Sequence, residues 1–307
     1  MKKTFIASIA ITALAVGLSG CSAIEATDTR PSIVATTSVW ADVASQIAGD
    51  KFQVSALISK PTQDPHSFEA SARDQLAVSE SSIFIVNGGG YDEFATKLAS
   101  AANVVPFDVF ENHESAHGDE HADEVVDEHA DEHAHGHDGS DHIWYDLHVV
   151  EATALELAEK MTAIQPENQA VFEENYNKFA ASIEELETRA AKITNKLSYF
   201  EAHPLATLLF EELAFENLTP EGFAEAEEAE LEPSPLIMSE AKELIAGGKL
   251  DFIAVNRQAS SSSLEQLIAV ADENSVPVLN FDELLPEGSN YQQWMASILE
   301  EIEIVSN

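Results

Sequence analysis

Eight apolar residues, Phe172, Tyr176, Phe179, Ile183, Leu186, Ala190, Ile193 and Leu197, follow one another at spacings of 4, 3, 4, 3, 4, 3 and 4. Such spacing puts them on one face of an α-helix. Pro166 stands where a first-turn proline belongs, and no Gly or Pro follows before Pro204. The pattern predicts one helix of about thirty residues, roughly 45 Å long at 1.5 Å per residue. A coiled-coil dimer would show the same stripe, but about four heptads favour a rigid strut packed along its own protein. The rest of the fold must be built on either side of this rod.

Both flanks alternate between strand and helix. Apolar, β-branched runs occur at Ile33-Val34-Ala35-Thr36, Val54-Ser55-Ala56-Leu57-Ile58, Ile83-Phe84-Ile85-Val86 and Val104-Val105-Pro106-Phe107. Helical segments lie between them, for example over residues 40–48 and 71–79. After the strut, strands are predicted over 197–202, 250–255 and 276–281. Helices are predicted from Pro204, from Pro233-Ser234-Pro235 to Ala246, over 262–274 and over 290–304. Alternation of this kind implies parallel sheets covered by helices. The expected architecture is α/β, with two lobes, each a mostly parallel sheet flanked by helices, bridged by the long helix. The expected boundaries are 32–165 for the first lobe, 166–197 for the linking helix and 198–307 for the second.

The first lobe is interrupted at residues 111–141. From Glu111 to His142 the chain has eight of its eleven histidines, twelve acidic residues and no Lys or Arg. Imidazole and carboxylate are the ligands that borderline divalent metals such as zinc prefer. A segment made of them cannot bury itself in a core, so it reads as a metal-attracting loop. Its auxiliary ligand candidates are His113, His117, His121, His129, His133, His135 and His137. His113-Glu114-Ser115-Ala116-His117 fits the H-E-x-x-H pattern of zinc proteases. That chemistry needs a buried apolar helix, whereas Gly118, Asp119 and Glu120 follow here, and the histidines recur by repetition. No Gly-rich phosphate loop and no G-x-S-x-G elbow is present, so nucleotide binding and triad hydrolysis have no support.

Lys2 and Lys3 precede a short apolar run that ends in Leu18-Ser19-Gly20-Cys21. The run is too short to be a spanning helix and reads as an export signal. Leu-Ser-Gly-Cys resembles the bacterial lipobox, which implies a signal peptide over 1–20, lipid on Cys21 and a tether over 21–31. Cys21 is the one cysteine, so the chain can form no internal disulfide and no Cys-type zinc site. A net charge of −40 argues against nucleic acid and anionic lipid as partners and favours attraction of cations.

Outside the low-complexity loop, three histidines stand at strand ends or turns. His66 follows Asp64-Pro65, His142 closes the acidic loop, and His203 ends the first strand after the strut. Ligands of open α/β sheets collect at the carboxyl ends of strands. The same position after the last strand holds Asp282-Glu283. Three imidazoles and one carboxylate would complete a tetrahedral zinc sphere. His148 is a further candidate, although a solvent-facing residue at a helix start is the commoner role. Trp144, Tyr145, Tyr291 and Trp294 could line the same cleft, with core packing as the default.

Several of these stretches are similar to motifs of one family. Pro61-Thr62-Gln63-Asp64-Pro65-His66-Ser67-Phe68-Glu69 resembles the first metal-ligand motif of the ZnuA/TroA-like solute-binding proteins of zinc and manganese ABC transporters. Asp141-His142-Ile143-Trp144-Tyr145-Asp146 resembles the second. Asn256-Arg257-Gln258, and Glu283-Leu284-Leu285-Pro286 with Tyr291 and Trp294, are similar to features of the second lobe. The resemblance implies metal held in the cleft between the lobes by His66, His142, His203 and Glu283. A one-residue shift would exchange Glu283 for Asp282. Two departures are the absence of a glycine before the Asp-Pro-His turn and Leu147-His148 where a proline is expected after Asp146.

The resemblance further implies a monomeric, non-enzymatic receptor, lipid-anchored outside the cytoplasm to a bacterial cell membrane. It would take Zn²⁺, with Mn²⁺ as the alternative, and deliver it to an ABC permease. A metal-dependent surface adhesin or scaffold is the competing class.

Overall fold

The computed structural model describes residues 29–60, 63, 65, 68–112, 141–228, 231–256, 258 and 261–306. The signal segment with Cys21, His66, Arg257 and the seven loop histidines from His113 to His137 lie outside the described residues.

The first lobe runs β1 (Ser32–Thr37), α1 (Ser38–Ala48), β2 (Gln53–Ile58), α2 (Ala72–Glu80), β3 (Ile83–Val86), α3 (Glu93–Ala102) and β4 (Phe107–Asp108). Its strands are parallel in the order β2-β1-β3-β4, with Ile33 opposite both Val54 and Ile83. Ser71 starts α2 with a reciprocal capping box, accepting from Asp74 N while the Asp74 carboxylate accepts from Ser71 N. A 3₁₀ turn, Ile143–Tyr145, then leads into α4 (Leu147–Ile164), where Asp146 Oδ1 accepts from His148 N at 2.8 Å and Val149 N at 3.2 Å. A 3₁₀ turn at Pro166–Asn168 reverses the chain into α5 (Gln169–Ala190), which packs against α4.

The second lobe contains β5 (Ser198–Glu201), α6 (Thr207–Glu212), β6 (Glu216–Asn217), α7 (Phe223–Glu228), α8 (Pro235–Ala246), β7 (Phe252–Asn256), α9 (Ser262–Asn274), β8 (Val278–Phe281) and α10 (Tyr291–Ser306). Its sheet is also parallel, in the order β6-β5-β7-β8. Pro235 occupies the first turn of α8 behind a Ser234 cap, and Ser261 caps α9 through Leu264 N. In this lobe β6 and α7 have no counterpart in the sequence reading, and in the first lobe α4 is foreseen there only as a helix start at His148. Two others are shifted. The strand expected over 104–107 is reduced to Phe107–Asp108, because Pro106 has no N–H to donate to a ladder and Val105 faces solvent. The helix expected from Pro204 begins at Thr207.

The strut is shorter than its periodicity predicts. Phe172, Phe179, Ile183, Leu186 and Ala190 form its buried face, and the helix stops at Ala190. Lys192 N and Ile193 N turn back to carbonyls three residues earlier, which tightens the last turn. Thr194 and Asn195 then follow, both poor helix formers. Ile193 still packs on the core and Leu197 is buried, so the stripe outlasts the helix.

The inner faces of both sheets meet in one core. Ile33, Ala35 and Ile85 of the first sheet share a cluster with Tyr199, Phe252, Ala254 and Phe281 of the second. Residues of α1, α4, α5 and α10 fill the space between. The alternate residues, Val34 and Phe84 in one sheet and Phe200 and Ile253 in the other, build two outer satellite cores, as the period-2 side-chain alternation of a strand requires. Polar contacts fasten the same seam. Arg189 of α5 donates to both carboxylate oxygens of Glu303 at 2.7 Å and to Ala296 O at 2.8 Å. Asp42 of α1 accepts from Tyr291 N at 2.9 Å and from Gln46 Nε2 at 2.7 Å. Among the described residues, no helix is long and apolar enough to cross a membrane.

Candidate metal centre

The carboxyl ends of β3, β5, β7 and β8 deliver the polar groups of the site. Beyond β3, Gly88, Gly89 and Gly90 all adopt positive φ, 81°, 65° and 101°. Gly88 has no room for a side chain, since a Cβ there would lie 2.0 Å from Asp108 Oδ1. The turn is closed by Asp92, whose carboxylate accepts from Asn87 N at 2.7 Å and Gly88 N at 3.0 Å. It carries Tyr91 into the interior, 2% exposed. Asn87 also accepts from Trp40 Nε1 at 3.0 Å and donates to Asp141 O at 2.7 Å, which anchors the residue before His142.

His142 is 2% exposed and sits edge-on to Tyr91 and Trp144, with ring centroids 5.4 and 5.2 Å away. Its Nδ1 lies 3.2 Å from Asp141 Oδ1. The ring of His203, just past β5, is 5.6 Å from that of His142, and His203 Nε2 is 3.9 Å from Glu283 Oε1. Among the described residues, one ligand atom each from His142, His203 and Glu283 can be chosen so that all lie within 4.8 Å of one another. Around a four-coordinate zinc at 2.0–2.1 Å, neighbouring ligand atoms stand roughly 3.4 Å apart. The three side chains therefore need to close by no more than about 1.4 Å to reach that geometry.

Glu283, 5% exposed, is held on all sides. Asn256 Nδ2 donates to Oε1 at 2.5 Å, and the Tyr91 hydroxyl donates to Oε2 at 3.4 Å. Gln258 Oε1 accepts from Glu283 N at 2.9 Å and Leu284 N at 3.2 Å, while Gln258 N donates to Asn256 Oδ1 at 2.8 Å. Burial, then the carboxylates of Glu283, Asp92 and Asp141, push the Tyr91 phenol well above its ordinary value, so it stays a protonated donor. Tyr145 reaches across from the 3₁₀ turn, donating to Asp282 O at 2.8 Å and accepting from Asp282 N at 3.1 Å. A second phenol, Tyr291, donates to Trp144 O at 2.7 Å. Both tyrosines and both tryptophans of this seam, Trp144 and Trp294, are buried in the shared core.

Behind His203, Glu201 is 2% exposed and accepts from Ala206 N and Thr207 Oγ1, each at 2.9 Å. Burial pushes its carboxyl up to about 7, against the opposing pull of these donors and of His142.

Of the residues expected to ligate metal, the structure brings His142, His203 and Glu283 together, whereas His66 and the loop histidines lie outside the described residues. Asp282 is next to the cluster but is fixed through its backbone by Tyr145, and the clustered carboxylate is that of Glu283. His148 stands away from the site, 63% exposed, with Nδ1 3.0 Å from Glu187 Oε1. Sequence reasoning passed over Tyr91 and Glu201. The three-glycine turn after β3 was the available signal for Tyr91, because such a run marks a backbone held in unusual conformation.

A family described as "zinc-uptake complex component A periplasmic" (ZnuA) matches residues 33–304. The metal ABC transporter substrate-binding lipoprotein SloC of Streptococcus mutans is 24% identical over 176 residues, 55% of this chain and 54% of SloC. The manganese ABC transporter substrate-binding lipoprotein PsaA of Streptococcus pneumoniae is 25% identical over 206 residues, 64% of this chain and 63% of PsaA. The chain thus aligns with between about half and two thirds of these relatives' lengths. Among solved structures, the periplasmic zinc-binding protein TroA of Treponema pallidum superimposes with a TM-score of 0.71 at 18% identity, covering 90% of this chain and 99% of TroA. A zinc-bound ZnuA lacking residues 138–173 gives 0.69 at 20% identity, with 91% and 98% covered. Both structural likenesses are likenesses of fold.

Proposed function

The chain belongs to the ZnuA family of zinc-uptake complex components, and on that premise we propose that it is an extracytoplasmic binding protein that captures Zn²⁺ between its lobes and passes it to an ABC permease. The observation that carries this reading is the convergence of His142, His203 and Glu283, buried or nearly so and contributed from both sides of the seam. His66, assigned from its Asp-Pro-His turn, completes the donor set at three imidazoles and one carboxylate. Four protein donors leave no open position for a reactive water, so the site binds without catalysing. Three nitrogens favour zinc, whereas manganese sites lean on oxygen.

The remaining roles follow from the same reading. The His-rich segment gathers metal weakly at several points and raises its concentration near the cleft. Lipid on Cys21 holds the receptor at the membrane, where the permease lies. The manganese reading draws on the name of PsaA, and the adhesin reading is the one in which metal is only structural.

The test is a competition titration of the full chain against a zinc-chelating indicator. The forms compared are wild type, His142→Ala, His203→Ala and a deletion of residues 114–139. One tight zinc equivalent that survives the deletion and is lost in both substitutions is expected. Tight binding that disappears with the loop and ignores His203 would make the protein a surface metal buffer instead.

A further inference from the structure

The proposed fourth donor, Glu283, is contacted from both lobes. Each oxygen of the Glu283 carboxylate accepts a hydrogen bond, and the two donors come from opposite lobes. Asn256 Nδ2 reaches Oε1 at 2.5 Å from the end of β7, and the Tyr91 hydroxyl reaches Oε2 at 3.4 Å from the turn after β3. Both donors are themselves immobilised. Asn256 is 1% exposed and accepts from Gln258 N at 2.8 Å, while Tyr91 is set by the glycine turn that Asp92 closes.

A carboxylate oxygen has two lone-pair sites. To chelate one ion with both oxygens, a carboxylate must swing until both face the metal at similar distances. Asn256 and Tyr91 oppose that swing from two directions, and each commits a lone pair of the oxygen it holds. One oxygen can still meet an ion lying toward His203, whose Nε2 is 3.9 Å from Oε1. A single-oxygen carboxylate beside imidazoles suits a four-coordinate ion, while manganese favours six oxygen-rich positions.

We propose that Asn256 and Tyr91 are positioning residues that set metal choice at this centre, by restricting Glu283 to one-oxygen coordination. The inference rests on the proposed metal-capturing role of the His142, His203 and Glu283 cluster. Selectivity for a four-coordinate ion then resides as much in an amide and a phenol that never touch metal as in the ligands themselves. Outer partners of this kind typically shift metal affinity about ten- to a hundredfold.

The test uses the full chain as wild type, Tyr91→Phe, Asn256→Leu and the double variant. It reads zinc and manganese affinities by competition and the visible spectrum of the Co²⁺-loaded protein. Wild type is expected to give the intense absorption of four-coordinate cobalt. In the variants the zinc-to-manganese affinity ratio should fall by about tenfold or more, and the cobalt band should weaken toward that of higher coordination. A purely structural role would lower both affinities together and leave the cobalt band unchanged. That outcome, or a wild-type ratio in every variant, overturns the inference. Tyr91→Phe removes one oxygen atom from a retained ring and keeps the test decisive if Asn256→Leu does not fold. Failure of His203→Ala to release zinc would instead overturn the proposed function, a separate result from the same titration.

Discussion

Substituting Gly88 with alanine tests the turn that delivers Tyr91. At φ 81° the new residue pays left-handed backbone strain of about 1–2 kcal/mol. Its Cβ would also meet the whole Asp108 carboxyl group, 2.0 Å from Oδ1, 2.7 Å from Cγ and 2.9 Å from Oδ2. Spinning the carboxyl group in place does not clear a contact with all three atoms, so Asp108 must swing away. That breaks the hydrogen bond Asp108 Oδ1 accepts from Glu111 N at 3.0 Å, a loss of about 1 kcal/mol. The expected destabilisation is roughly 2–3 kcal/mol. Gly90→Ala supplies the control, since its φ of 101° carries backbone strain but a Cβ there meets nothing within 4 Å. Urea unfolding of the metal-free proteins, with the slope unchanged, should separate Gly88→Ala from Gly90→Ala by about 1 kcal/mol. Equal midpoints for the two variants would refute the steric argument.

Three further outcomes follow from the seam and the site. Arg189→Met removes a two-pronged contact to Glu303 and a bond to Ala296 O, and because the pair is partly exposed the loss should be about 1 kcal/mol in urea unfolding; a null effect would show the seam held by apolar packing alone. Burial raises the Asp42 carboxyl above its ordinary range against the pull of Tyr291 N and Gln46, so its contribution to stability is full below the usual carboxylate range and is lost as pH rises through its folded value. Asp42→Asn should therefore gain on wild type between about pH 4 and pH 7, and parallel stability curves would contradict the sign. Imidazole ligands bind metal unprotonated, so zinc affinity should fall below about pH 6 with measurable proton release, and an affinity flat across that range would remove histidine from the donor set.

The parts of the fold legible in the sequence are those set by local periodicity. The run Ile83-Phe84-Ile85-Val86, buried on both faces, and α9, capped by Ser261, fall where the residues indicate. Where tertiary packing decides, the reading fails. Ile193 and Leu197 continue the apolar stripe because they pack into the core, although the helix has already ended. The two-residue strands β4 and β6 are too short to carry a pattern and exist through their neighbours' ladders. His203 and the Asp282-Glu283 pair were legible because strand ends in an α/β sheet are where ligands gather, whereas His142 and the choice of Glu283 came from the family resemblance. The grip of Tyr91 on Glu283 joins residues 192 positions apart, and no spacing rule reaches across that distance.

The core common to both sheets has a practical consequence for anyone building a fluorescent reporter from this protein. Dyes placed one on each lobe would ride on a single packed block, because Ile33 and Phe252 belong to the same cluster and Arg189 fastens α5 to α10. Their separation would barely change when cargo arrives. A dye beside the rings of Tyr91, His142 and His203 would instead sit at the proposed metal centre, where the side chains of the cluster would move to meet an ion.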